Sequence, residues 1–331
     1  MSDTTHLLVP FAALPTPGGQ QALASLQLPH LERLLTRLSL QTRDSGDEDA
    51  PDLPHERALA RAVGLPATDS GALPWAAWHV LQSGFAGGHG ASNGSASTTP
   101  ASAAWAFFTP CHWQIRTDHV TLDDPAALQL DEAASRELLA VMAPWFVEDG
   151  ITLHYDQPTR WLAQGAPLAD LATASLERVL HRDLRMWLPD PQRAAQLHRL
   201  QSEMQMLLYT HPLNDAREAR GLPTVNAFWL HGAGRLPAAA QPVPGAAPTV
   251  HGELRTPALQ EDWPAWAQAW QALDAGPIAA LAEKAARGDA VQLTLSGERS
   301  ALTWHSAPRS LRQKISGVFR PQRFADVGQQ L

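Results

Sequence analysis

The order of the first two patterned segments constrains this chain most. A short, almost uninterrupted apolar run, HLLVPFAAL (6–14), precedes PHLERLLTRLSL (29–40), whose apolar positions step by three and four behind a proline in the first turn. A buried strand followed by an amphipathic helix opens an α/β pattern. Cys111 is the only cysteine, so neither an intramolecular disulfide framework nor a cysteine-based zinc site can support that pattern. The 331 residues suffice for a sizeable core, in two ordinary domains or in one large α/β domain with an insertion.

Further along, QTRDSGDEDAPDLP (41–54) is acidic and turn-rich and predicts an exposed loop, and PHERALARAVGLP (54–66) predicts a short helix stopped by Gly64 and Pro66. GFAGGHGASNGSASTTPASAA (84–104) has no apolar period and predicts a mobile, low-complexity insertion. WAFFTP and HWQIRTDHVTL predict a pair of strands. DEAASRELLAVM predicts a helix capped by Asp131 and disturbed near its end by Pro144, and ITLHY and RWLAQ are strand-like. Asp190 and Pro191 open a long helix in which Ala194, Leu197, Leu200, Met204 and Leu208 form a core stripe. Asn214 is placed to cap a short helix ended by Gly221, after which NAFWLHGAG reads as a strand running into a tight glycine turn. Residues 238–250 predict a loop. The tail predicts helices around WAQAWQALD and PIAALAEKAARG and a hairpin, VQLTLSGERSALTWH, turning near Gly297.

A formal net charge of −8 argues against sequence-independent nucleic-acid binding. No apolar run approaches the roughly twenty residues of a membrane span, so no membrane partner is expected. The opening MSDTTHLLVPFAAL lacks a basic region and is broken by Pro10, which predicts a cytoplasmic protein. The glycine-rich nucleotide motifs, the nucleophile elbow and the zincin helix do not occur. HGAG (231–234) reads either as an anion-binding nest or as a plain turn. On a strand, Asp118 and His119 would face opposite ways, whereas His154 and Asp156 share a face and could share an ion. The twelve tryptophans read as packing residues whose indole N–H groups find partners, with WPAWAQAW as the stretch that a protein partner would use.

HPLNDAREARGLPTVNAFWLHGAGRLP (211–237) resembles the segment of archaeal-type cofactor-independent phosphoglycerate mutases in which HPVN, an arginine, a G-x-P-x-N run and a WLWGQG-x-x-P strand follow one another. Together with HWQIRTDHVTLDDP (112–125) it is also similar to bacterial RpfE-type regulatory proteins, a phosphoglycerate-mutase-like family, over nearly the full chain. The resemblance implies an α/β fold of the alkaline-phosphatase-like kind. Its parallel-sheet core would be formed by residues 1–104 and 238–331, with an inserted α+β ligand-binding domain over residues 105–237. It further implies that His112, Asp118, Arg160, His211, Asn214, Arg217, Asn226, Trp229 and the turn from Gly232 to Gly234 line a site for a small phosphorylated or carboxylate ligand. Alanine at Arg217 and Asn226 would then abolish ligand binding without lowering stability.

The match departs at the metal core of that family. Where the mutases end their first strand in Asp-Gly, this chain has Phe11 and Ala12; their nucleophilic serine is matched by Pro54 or His55, and their late Asp-His pair by Ser296 and Gly297. Asp274 is the one acidic remnant. Two-metal phosphoryl transfer needs several carboxylates and imidazoles converging on the cations. The resemblance therefore implies a pseudoenzyme without a metal cofactor, acting as a regulator or small-anion-binding protein, with a protein partner as the other class of ligand. The competing expectation is an active 2,3-bisphosphoglycerate-independent phosphoglycerate mutase that holds manganese, magnesium or zinc through His154, Asp156, His251 and Asp274.

Overall fold

The computed structural model describes residues 4–47, 49–68, 71–85, 103–237, 240–242, 247–306 and 323–331. In chain order its elements begin with β1 (Thr5–Val9), α1 (Pro17–Ser25), α2 (Pro29–Leu35), β2 (Ser39–Ser45), α3 (Pro54–Val63) and α4 (Trp75–Ser83). Then come β3 (Ala104–Cys111), β4 (Trp113–Ile115), β5 (Val120–Leu122), α5 (Glu132–Val147), β6 (Thr152–Gln157), β7 (Arg160–Gln164), α6 (Leu176–Val179), α7 (Ala195–Tyr209), α8 (Pro212–Glu218) and β8 (Ala227–Arg235). The last are β9 (Thr249–Val250), α9 (Arg255–Leu259), α10 (Trp263–Leu273), α11 (Ala279–Arg287), β10 (Val291–Ser296), β11 (Ser300–His305) and α12 (Phe324–Gly328). They form two compact units: Met1–Val63 with Val243–Leu331, and Gly64–Pro242. No helix among the described residues is long and apolar enough to cross a membrane.

The first unit contains a mixed five-stranded sheet in the order β2-β11-β10-β1-β9. Parallel pairing is confined to β9, β1 and β10. The expected β10–β11 hairpin closes at Gly297 with the two strands antiparallel, as a tight turn requires, and β11 also pairs antiparallel with β2. The helix expected over 29–40 stops at Leu35, and Ser39–Ser45, read as helix end and loop, is an edge strand. An edge strand needs only backbone pairing on one side, so SLQTRDS leaves most of its side chains exposed and shows no apolar alternation. α1 lacks a helix signature because Gly18 and Gly19 resemble breakers; Gly18 packs so closely on Trp263 that a Cβ would lie 2.2 Å from its Nε1. The two tail helices are continuous through one wide π turn, Asp274–Ile278, where Pro277 supplies no backbone N–H. Leu7, Val9, Leu31, Leu34, Leu293, Leu295 and Leu281 fill the core with Trp266 and Trp270.

The second unit is built on an antiparallel sheet in the order β6-β7-β3-β8. Phe108, Phe146, Trp161 and Phe228 stack in its core with the α7 stripe Ala194, Leu197, Leu200, Met204 and Leu208, as the three- and four-residue spacing predicts. Asp131 caps α5 by accepting from Ala134 N at 2.8 Å. HWQIRTDHVTL does not pair with WAFFTP; it folds on itself as the β4–β5 hairpin, closed by Arg116 N donating to His119 O. α7 starts at Ala195, because residues 190–193 are spent in a turn. α4 has no amphipathic signature, because Ala76, Ala77, Trp78 and Val80 are all buried, which leaves WAAWHVLQS without a clear polar face. Most of the low-complexity insertion expected at 84–104 lies outside the described residues, as do 238, 239 and 243–246 of the expected 238–250 loop.

The glycine turn expected after NAFWL is instead a bulge within β8. Trp105 pairs with Gly234 and Phe107 with His231, so β8 carries one residue more than β3 across that step. Gly232 has φ 59° and Gly234 φ 143°. A Cβ at Gly232 would sit 3.1 Å from Trp75 Cβ, which leaves glycine as the residue that fits both the backbone and the space.

Candidate functional site

The C-terminal ends of β1 and β10, where open α/β sheets bind ligands, lie together: Ala12 N donates to Ser296 O at 2.7 Å. Phe11, Ala12 and Ser296 are buried there. Phe11 takes a left-handed φ of 56°, its ring lies 5.5 Å from that of His55 at the start of α3, and its carbonyl accepts from Trp266 Nε1 at 3.0 Å. Trp270 Nε1 donates to Ala12 O at 3.2 Å. At Gly297 a Cβ would meet Leu331 O at 2.6 Å. Asp274 is already occupied, its two oxygens accepting from His30 N (3.2 Å) and Leu31 N (2.7 Å), the unsatisfied donors at the start of α2. An apolar ring, a methyl group, a hydroxyl and an imidazole do not make a donor set for two divalent cations.

The alternative ligand set is equally dispersed. His154 Nε2 lies 3.3 Å from Gln164 Oε1 and its ring packs on Trp105; Asp156 binds Arg160 and His79; His251 Nδ1 is 3.1 Å from Glu253 Oε1. Among the described residues, no group of three or more His, Cys, Asp or Glu side chains could hold a metal ion.

The residues that the resemblance assigns to a ligand hold backbone segments of the second unit together. His211, rather than Asn214, caps α8, its Nδ1 accepting from Leu213 N. Asn214 is buried in the first turn, where its Nδ2 donates to Leu208 O and Val225 O, both at 2.8 Å, and its Oδ1 accepts from Val225 N at 2.9 Å. Arg217 donates to Pro223 O at 2.8 Å and to Leu128 O. Asn226 pairs with both backbone groups of Trp113, at 2.7 and 2.9 Å, and His112 Nδ1 donates to Thr224 O at 2.8 Å. Trp229 is buried with its Nε1 on Ala174 O. Asp118 stands apart at the tip of the β4–β5 hairpin with its side chain 83% exposed. There it meets His119 Nδ1 at 2.7 Å, because the two occupy a turn and not a strand.

Arg160 joins a different group, on the sheet face covered by α4. Its Nε and Nη2 both lie 2.8 Å from Asp156 Oδ2, and His79 Nε2 of α4 lies 3.3 Å from the same oxygen. The guanidinium carbon sits 5.3 Å over the Phe107 ring, which is 5.7 Å from the His79 ring and 5.2 Å from that of His231. His231 Nε2 is 3.2 Å from Thr109 Oγ1. His79, Phe107, Thr109 and His231 were not singled out in the sequence. Their signal, period-two spacing of Phe107 with Thr109 and of His154 with Asp156, shows a face but not which strands share it.

No protein-family model matches the chain, and no curated protein matches its sequence. Among solved structures, the cofactor-independent phosphoglycerate mutase from Thermoplasma acidophilum DSM 1728 is similar at 13% identity and a TM-score of 0.40, over 99% of this chain and 95% of that one. A protein from Pyrococcus horikoshii is similar at 11% identity and a TM-score of 0.39, over 99% of this chain and 96% of that one.

Burial, and then the neighbouring Arg160, hold the His231 imidazole down at about 3, from an ordinary 6.5. Burial alone lowers His6 in the first unit to about 4. Both rings are neutral in the fold near pH 7. Between about pH 6.5 and their folded values the unfolded chain binds more protons, so stability is complete above that window and is lost as pH falls through it. The urea midpoint is expected to fall steadily from pH 7 to pH 4, and less steeply in His231→Gln; identical slopes in the two proteins would show that His231 is not a source of the acid sensitivity.

Proposed function

We propose that this chain is an RpfE-type, phosphoglycerate-mutase-like regulatory protein that has lost two-metal phosphoryl transfer and works by binding a small anion or a protein partner. The observation that carries this reading is the chemistry of the β1 and β10 ends, where Phe11, Ala12, His55, Ser296 and Gly297 stand at the positions that the resemblance gives to metal ligands and nucleophile. Without converging carboxylates, nothing there neutralises two cations or positions them on the attacking and leaving oxygens. For the anion, Arg160 supports the reading best among the residues implied by the resemblance. Its side chain is 32% exposed beside the partly exposed His79, so a phosphate or carboxylate could compete with Asp156 for the guanidinium.

A coupled assay for conversion of 3-phosphoglycerate to 2-phosphoglycerate, run on metal-stripped protein resupplied with manganese, magnesium, cobalt or zinc, is expected to show no turnover. Saturable binding of 3-phosphoglycerate without turnover would support the small-anion form of the reading. Turnover in the enzymatic range with any of these metals would overturn it.

A further inference from the structure

We draw no further inference here: the strongest candidate, the side-chain cluster of His79, Asp156 and His231 about the Phe107 ring on the sheet face covered by α4, belongs to the Arg160 site already described.

Discussion

Arg217→Ala is expected to lower the stability of the second unit by about 2–4 kcal/mol, read as a lower urea midpoint with an unchanged slope. The side chain is buried, and its donors reach Pro223 O and Leu128 O. Truncation strands the Leu128 carbonyl in the interior and the Pro223 carbonyl in a part-buried position, and an orphaned buried polar group costs roughly 1–3 kcal/mol. Burial, reinforced by Arg220 and opposed by Asp131, lowers the pKa of the guanidinium, so the fold already bears a desolvation penalty that these hydrogen bonds must offset. Lysine at this position keeps the charge but lacks the planar fork that spans two acceptors, and is expected to recover only part of the loss. This expectation runs against the one that the resemblance implies. An Arg217→Ala protein as stable as the parent would show the guanidinium to be idle in the fold and would return it to a ligand.

Trp270→Ala is expected to cost about 3–5 kcal/mol, the largest effect of any single truncation proposed for this chain. The side chain is 0% exposed, its ring meets Trp266 edge-on at 6.2 Å and Phe324 at 4.8 Å, and its Nε1 donates to Ala12 O. Removing it opens a large cavity and orphans a carbonyl at the end of β1. The same geometry bears on the idea of WPAWAQAW as a partner surface. Trp266 and Trp270 face the core with their indole nitrogens on Phe11 O and Ala12 O, and Trp263 is only partly exposed beside Gly18. A loss of partner binding in either buried variant would therefore report unfolding and not recognition. Chemical denaturation decides the matter: a Trp270→Ala protein within about 1 kcal/mol of the parent would show that the ring contributes little to the core.

Local sequence specifies structure where chemistry between near neighbours decides it. The Asp131 cap, the α7 core stripe and the β10–β11 hairpin at Gly297 all depend on residues within a few positions of one another. The edge strand β2, most of whose side chains are exposed, and α4, whose buried residues surround most of the helix, carry no such local signature. The candidate site was only half legible for a related reason. Arg160 was singled out, but His79 and His231 reach it only through a helix laid on the sheet and through the β3–β8 register, which one bulged residue shifts. Asp274 resembles a remnant metal ligand, yet it accepts from the amide of His30 at the start of a helix, 244 residues earlier in the chain.

The sequence by itself determined which stretches are apolar and periodic and where helices can start, because these are properties of residue type and near-neighbour spacing. The tertiary structure alone decided what the polar residues bind. Asn214, Arg217 and Asn226 have side chains suited equally to a ligand and to a backbone group, and long-range packing brought carbonyls and amides from residues 113, 128, 208, 223 and 225 within reach of them.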